Sequence, residues 1–108
     1  MIRHKSLAAG GWQKLSLAEQ LGNIGSEIGR AKRWQEKDQK LFHEAVDRSL
    51  ELFDLTLEDP RWKGRRREIE IAREVFCEII FGENKYHSSL PDLLRYFDQF
   101  AYAARLRV

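Results

Sequence analysis

The sequence predicts an all-α fold, an antiparallel four-helix bundle of the up-and-down type. Apolar residues recur at helical spacing through four segments of the chain. These segments start or stop at residues typical of helix ends, and none shows the strict alternation of a half-buried strand. Because short connections favour antiparallel neighbours, four such helices are expected to pack as a bundle.

The first helix is predicted to begin after Ser16. Ser16 with Glu19 three residues later has the pattern of a capping box. An apolar stripe with alternating spacings of four and three residues follows and gives this helix its buried side. Its members are Leu17, Leu21, Ile24, Ile28 and Ala31.

Small residues form a second stripe on the first helix, among them Gly22, Gly25 and Gly29. A glycine inside a helix costs roughly 1 kcal/mol relative to alanine, so three of them need a compensating interaction. We expect another helix backbone to approach this groove closely, within the bundle or across a dimer. A groove for a ligand is the alternative.

The second helix is expected from about Asp38, as its N-cap, to Leu57, because the residue before Pro60 avoids helical geometry. The third is periodic from Ile69 and stops at Gly82.

The start of the third helix is left open by the sequence. Either Pro60 stands in its first turn, capped by Asp59, or a break at Gly64 delays the start to about Arg65.

The fourth helix opens with Ser89 as its cap, followed by Pro91 and the first-turn acid Asp92. Its predicted buried face consists of Leu90, Leu93, Leu94, Phe97, Phe100, Ala101 and Ala104.

The length of 108 residues suits one domain and is too short for two. We expect residues 1–11 to form a weakly ordered arm and residues 12–108 a single helical bundle domain. With 43% hydrophobic and 33% charged residues, the composition excludes a disordered chain and a membrane-embedded one. No apolar run approaches the roughly 18 residues of a membrane span, and the N-terminus lacks the apolar region of a signal peptide. We therefore expect a cytoplasmic protein without a membrane partner.

Residue types that carry catalysis or bind metals do not occur at the spacings those functions need. Neither His43 nor His87 has a glutamate three residues before it, so the Glu-x-x-His pairs of a di-iron bundle are missing. Cys77 has no histidine at a helical neighbour position, and no phosphate-binding loop occurs. The sequence predicts no enzyme, no catalytic residue, no cofactor and no metal site.

A run of cations around Trp62 is the strongest functional feature of the sequence. It consists of Arg61, Lys63, Arg65, Arg66 and Arg67. Such a cluster could bind phosphates, and the adjacent tryptophan could stack on a base. Alternatively, it is a solvated turn that pairs with the acidic second helix or with Glu68 and Glu70. The net charge of +2 is small for a dedicated nucleic-acid binder.

The block LSLAEQLGNIGSEI, residues 15–28, resembles a family of small prokaryotic hypothetical proteins. Segments 59–62, 82–86 and 96–100 add to the resemblance, which covers most of residues 12–105. It implies a compact helical protein and no catalytic residue.

The glycine groove and the surplus of apolar helix surface predict a small non-enzymatic helical interaction protein that self-associates, as a dimer. A different protein partner is a further possibility. The alternative hypothesis is an accessory protein that binds nucleic acid or another polyanion through the cations at 61–67.

Overall fold

The computed structural model describes residues 11–82 and 89–106. A short 3-10 helix, Trp12–Lys14, comes first, and a second one, Pro60–Arg65, lies between the second and third α-helices. The four α-helices are α1, Leu17–Trp34; α2, Gln39–Leu57; α3, Arg66–Phe81; and α4, Leu90–Leu106. The described ranges contain no strand, which confirms the predicted all-α bundle. The predicted arm, apart from residue 11, lies outside the described residues.

Helix α1 is the central element, because it packs extensively along α2 on one side and along α4 on the other. Helix α3 completes the bundle and packs less extensively against α2 and α4. Three fully buried phenylalanine rings, one each from α2, α3 and α4, lie against one another. The ring centroid of Phe53 lies 6.0 Å from that of Phe76 and 5.8 Å from that of Phe97. One aromatic cluster therefore connects α2, α3 and α4.

Local capping residues fix where α1 and α2 begin. The Ser16 hydroxyl accepts a hydrogen bond from the backbone N–H of Glu19 at 3.1 Å, and the Glu19 carboxylate accepts one from the Ser16 N–H at 2.9 Å. This is the predicted capping box. The Asp38 carboxylate accepts from the N–H of Leu41 at 3.1 Å and caps α2 as expected.

The connection from α2 to α3 combines both alternatives that the sequence leaves open. Asp59 caps a helix with Pro60 in its first turn, but this helix is the 3-10 segment, within which Trp62 departs from helical geometry at φ −102° and ψ 19°. Helix α3 then begins at Arg66, and Gly82 follows its last residue.

Candidate interaction surface

The glycine stripe of α1 faces α4 of the same chain. A Cβ atom on Gly25 would lie only 2.7 Å from the Cβ of Phe97, and one on Gly22 would lie 3.1 Å from the Cα of Ala101. At Gly29 the nearest atom would be 3.9 Å away, an ordinary contact. Gly22 and Gly25 thus allow α4 to lie close to α1. Because α4 fills this groove, self-association requires another surface.

A buried hydrogen-bond network closes the end of the bundle at which the two 3-10 helices lie. The Nε2 of fully buried Gln20 donates to the carbonyl of Trp12 at 2.9 Å and to Oδ2 of Asp59 at 3.2 Å. Its Oε1 accepts from the indole N–H of Trp62 at 2.9 Å. The indole N–H of Trp12 donates to Thr56 Oγ1 at 3.0 Å. Since these polar groups satisfy one another, the network holds both 3-10 helices on the bundle.

The cations at 61–67 are largely paired with nearby carboxylates. We call them the basic cluster, which comprises Arg61, Lys63, Arg65, Arg66 and Arg67. The carboxylates of Asp59, Glu68 and Glu70 each lie 2.7 to 2.9 Å from a guanidinium nitrogen of the cluster. The cluster thus pairs with acids at its own ends, including Glu68 and Glu70, as one of the two alternatives from the sequence predicts.

Arg61 is hydrogen-bonded to the fold, although its side chain is 40% exposed. Its guanidinium donates to Asp59 at 2.7 Å and to the carbonyl of Leu15 at 2.7 Å. It also lies over the ring of Trp62, 4.4 Å from the ring centroid, in a cation–π contact. Hydrogen bonding from Arg61 holds the pKa of Asp59 below its ordinary value. Because Arg61 covers one face of this ring, that face is not available to stack on a base.

Exposed apolar residues are concentrated on two of the four helices. All the large hydrophobic side chains that are exposed among the described residues lie on α3 and α4. They are Ile71, Phe81, Tyr102 and Leu106. Tyr102 and Leu106 are 59% and 66% exposed.

An apolar groove lies between α3 and α4. It has a volume of about 530 Å³ and is lined mainly by Ile71, Val75, Leu93 and Tyr96. The carboxylates of Glu68 and Asp92 also line it, as does Ala72. We call this groove the α3/α4 face.

A hydrogen bond between the two helices fixes one margin of the groove. The phenol of Tyr96 donates to Oε1 of Glu68 at 2.5 Å, and Arg65 donates to the same carboxylate at 2.9 Å. Burial and the bond to Glu68 raise the pKa of Tyr96 well above its ordinary value. The bond from Tyr96, followed by that from Arg65, lowers the pKa of Glu68. At neutral pH the pair is therefore a neutral phenol bound to a carboxylate.

The lone cysteine, Cys77, is half-buried on α3. The guanidinium of Arg73 lies 3.8 Å from its sulfur and pairs with Asp54 of α2 at 3.0 Å. Burial raises the pKa of the Cys77 thiol, so the protonated and less nucleophilic form predominates at neutral pH.

Two further properties concern residues 11–82 and 89–106 alone. No group of three His, Cys, Asp and Glu side chains in these ranges converges as a metal site. None of the helices there combines the length and apolar character needed to cross a membrane. His43 is exposed on α2, whereas His4 and His87 lie outside the described residues.

Comparisons of the chain with family models, with curated proteins and with solved structures find no significant match.

Proposed function

We propose that this protein is a small non-enzymatic helical interaction protein that self-associates through the α3/α4 face. The observation that carries the proposal is that every exposed large hydrophobic side chain of the described residues belongs to α3 or α4. Removing apolar surface from water lowers the free energy by roughly 25 cal/mol per Å², which favours association. Contiguous apolar surface on a small protein is typical of a protein contact site.

The composition of the α3/α4 face also supports a protein partner. Its centre is aliphatic and aromatic, with Ile71, Leu93 and Tyr96 around the groove, and the charged groups Glu68 and Asp92 stand beside them. An apolar centre with polar surroundings is the usual arrangement of a protein interface. Two other surfaces are engaged within the chain: the glycine stripe contacts α4, and the basic cluster pairs with carboxylates.

Sedimentation velocity of the full chain, from low to high micromolar concentration, tests the proposal. We expect a dimer that buries more than about 1,000 Å². The variant Ile71→Glu should dissociate it, because a charge would enter the groove. His43→Glu is the matched control, since it makes the same charge change at an exposed position of α2. A monomer at high micromolar concentration, or equal dissociation by both variants, would contradict the proposal.

A second candidate function is the binding of nucleic acid or another polyanion by the basic cluster. The observation in its favour is a depression of about 540 Å³ beside the cluster, lined by Arg61, Trp62, Arg65 and Phe100 among others. Lys63 and Arg67 are both exposed.

Fluorescence anisotropy with labelled single-stranded RNA at low and at moderate salt tests this second candidate. Binding through the cluster should weaken steeply with salt and should be lost in the double variant Lys63→Glu/Arg67→Glu. Lys32→Glu/Arg33→Glu serves as the control, because it changes the charge equally on α1. Absence of binding at low salt, or equal loss in both double variants, would remove this candidate.

A further inference from the structure

A cavity lies at the end of the bundle where α1 stops and α4 starts. Its volume is about 770 Å³, which falls within the roughly 300 to 1,000 Å³ of small-molecule sites. It is lined by the last turns of α1, the connection to α2, Ile79 of α3, and Leu90 and Pro91, the first two residues of α4. Gly29, the glycine of the stripe that α4 approaches least closely, also lines it. The cavity is therefore bounded by three helices and has the size of a small ligand.

Three cations line this cavity without a carboxylate partner. They are Lys32 and Arg33 of α1 and Lys37 of the connection to α2. Within residues 11–82 and 89–106 their side chains form no ion pair and no hydrogen bond, whereas the arginines of the basic cluster pair with carboxylates. Cations in the last turn of a helix interact favourably with its negative pole, but Lys37 lies beyond the end of α1. Because Glu36 is the one carboxylate in the lining, the cavity keeps an excess of positive charge.

The lining combines this charge with an apolar wall. Ile79, Leu90 and Pro91 supply the wall, and Gln35 adds an amide that can both donate and accept hydrogen bonds. A ligand with two or more negative charges would neutralise the cations and relieve their mutual repulsion. Arginine and lysine are the usual partners of phosphate groups in proteins. An apolar part of the same ligand would contact the wall, so the lining suits a molecule that carries both groups.

We propose that this cavity binds a small organic phosphate, a molecule of the size of a nucleoside diphosphate with several negative charges and an apolar group. Lys32, Arg33 and Lys37 bind the phosphate oxygens, and Ile79 with Pro91 contacts the apolar group. The inference goes beyond the proposed self-association and does not depend on it. It also differs from the binding of RNA by the basic cluster, because that depression lies at the start of α1 and this cavity lies at its end.

Titration of the isotope-labelled full chain with ADP, followed by nuclear magnetic resonance, locates the site. We expect backbone amide signals of Gly29, Gln35, Lys37 and Leu90 to shift and to saturate by about 5 mM ADP at low salt. Pyrophosphate, which lacks the apolar group, should bind at least about threefold more weakly, and adenosine, which lacks the phosphates, should shift none of these signals. No shift with ADP, shifts centred on the basic cluster, or equal binding of ADP and pyrophosphate would overturn the inference.

Variants of the exposed cations separate a specific site from general attraction between charges. Arg33→Glu/Lys37→Glu should raise the dissociation constant for ADP at least about tenfold. Lys63→Glu/Arg67→Glu is the matched control, because it makes the same charge change on the basic cluster, and it should alter that constant by less than about twofold. Ile79→Ala, with its fold checked by circular dichroism, should weaken ADP but not pyrophosphate. Equal weakening of ADP by the two double variants, or no effect of Arg33→Glu/Lys37→Glu, contradicts the assignment of this cavity.

Discussion

Alanine substitutions in the glycine stripe should change stability in opposite directions at two positions of the same helix. Replacing a helical glycine by alanine favours the folded state by roughly 1 kcal/mol when space is available. At Gly29 the added Cβ would meet its nearest neighbour at 3.9 Å, so this gain should appear in full. At Gly25 the added Cβ would lie 2.7 Å from the Cβ of Phe97, about 1 Å inside the ordinary carbon–carbon separation.

The cost at Gly25 should exceed the propensity gain. Phe97 is fully buried against the rings of α2 and α4, so it has little room to move away. Overpacking of this kind costs about 1 to 3 kcal/mol, and an overlap this large belongs at the upper end of that range. After the helix-propensity gain of about 1 kcal/mol, we expect Gly25→Ala to destabilise the protein by about 2 kcal/mol and Gly29→Ala to stabilise it by about 1 kcal/mol.

Urea unfolding followed by circular dichroism measures both variants. The midpoints should move apart on either side of the wild type while the slope of the transition stays the same. Measurements at two protein concentrations separate these shifts from any linked dimerisation. If Gly25→Ala unfolds at or above the wild-type midpoint, Gly25 is not needed for α4 to lie close to α1.

Three further predictions concern polar contacts, each measured by urea unfolding. Gln20→Leu removes three hydrogen bonds and leaves the indole N–H of Trp62 without its partner, so it should cost about 2 kcal/mol; a loss below about 1 kcal/mol would contradict the network. Because the pKa of Asp59 is lowered on folding, its stabilising effect is present above its ordinary value of 3.8 and is lost as the pH falls below it. In Asp59→Asn, the free energy of unfolding should therefore fall less steeply as the pH is lowered into the acid range. If it falls as steeply as in the wild type, the pairing of Asp59 with Arg61 is refuted. Tyr96→Phe removes the bond to Glu68 and should cost about 1 kcal/mol, whereas Tyr102→Phe, at an exposed position, should cost nothing measurable.

Helix ends were predictable from the sequence where their signals are local. The capping box of Ser16 and Glu19 and the cap at Asp38 depend on residues within one turn, and the structure confirms them. The start of α3 was less accessible. The 3-10 helix before it is held by the bond of Trp62 to Gln20, which lies 42 residues earlier in the chain. No local pattern encodes such a contact.

Part of the candidate sites was also accessible from the sequence. The pairing of Arg65 with Glu68 and of Arg66 with Glu70 follows from helical spacings of three and four residues. The role of Gln20 was missed, although a polar residue between Leu17 and Ile24 on a buried stripe is an indication of one.

The α3/α4 groove could not be predicted, because it depends on how the helices are distributed around α1. Gly22 and Gly25 allow α4 to lie close to α1. Helix α3 packs less extensively against its neighbours, and the groove with its exposed side chain at Ile71 lies along this looser boundary. Hydrophobic periodicity shows which residues of a helix are apolar, but it does not show which of them a neighbouring helix leaves uncovered.

The contact between α1 and α4 has a consequence for synthesis on the ribosome. Gly25 meets Phe97, a residue 72 positions later in the chain, so α1 completes its packing only after α4 has emerged. Until then the small-residue side of α1 is exposed in the nascent protein. Contacts between distant parts of a chain slow folding, so this bundle should close later than its helical content alone suggests.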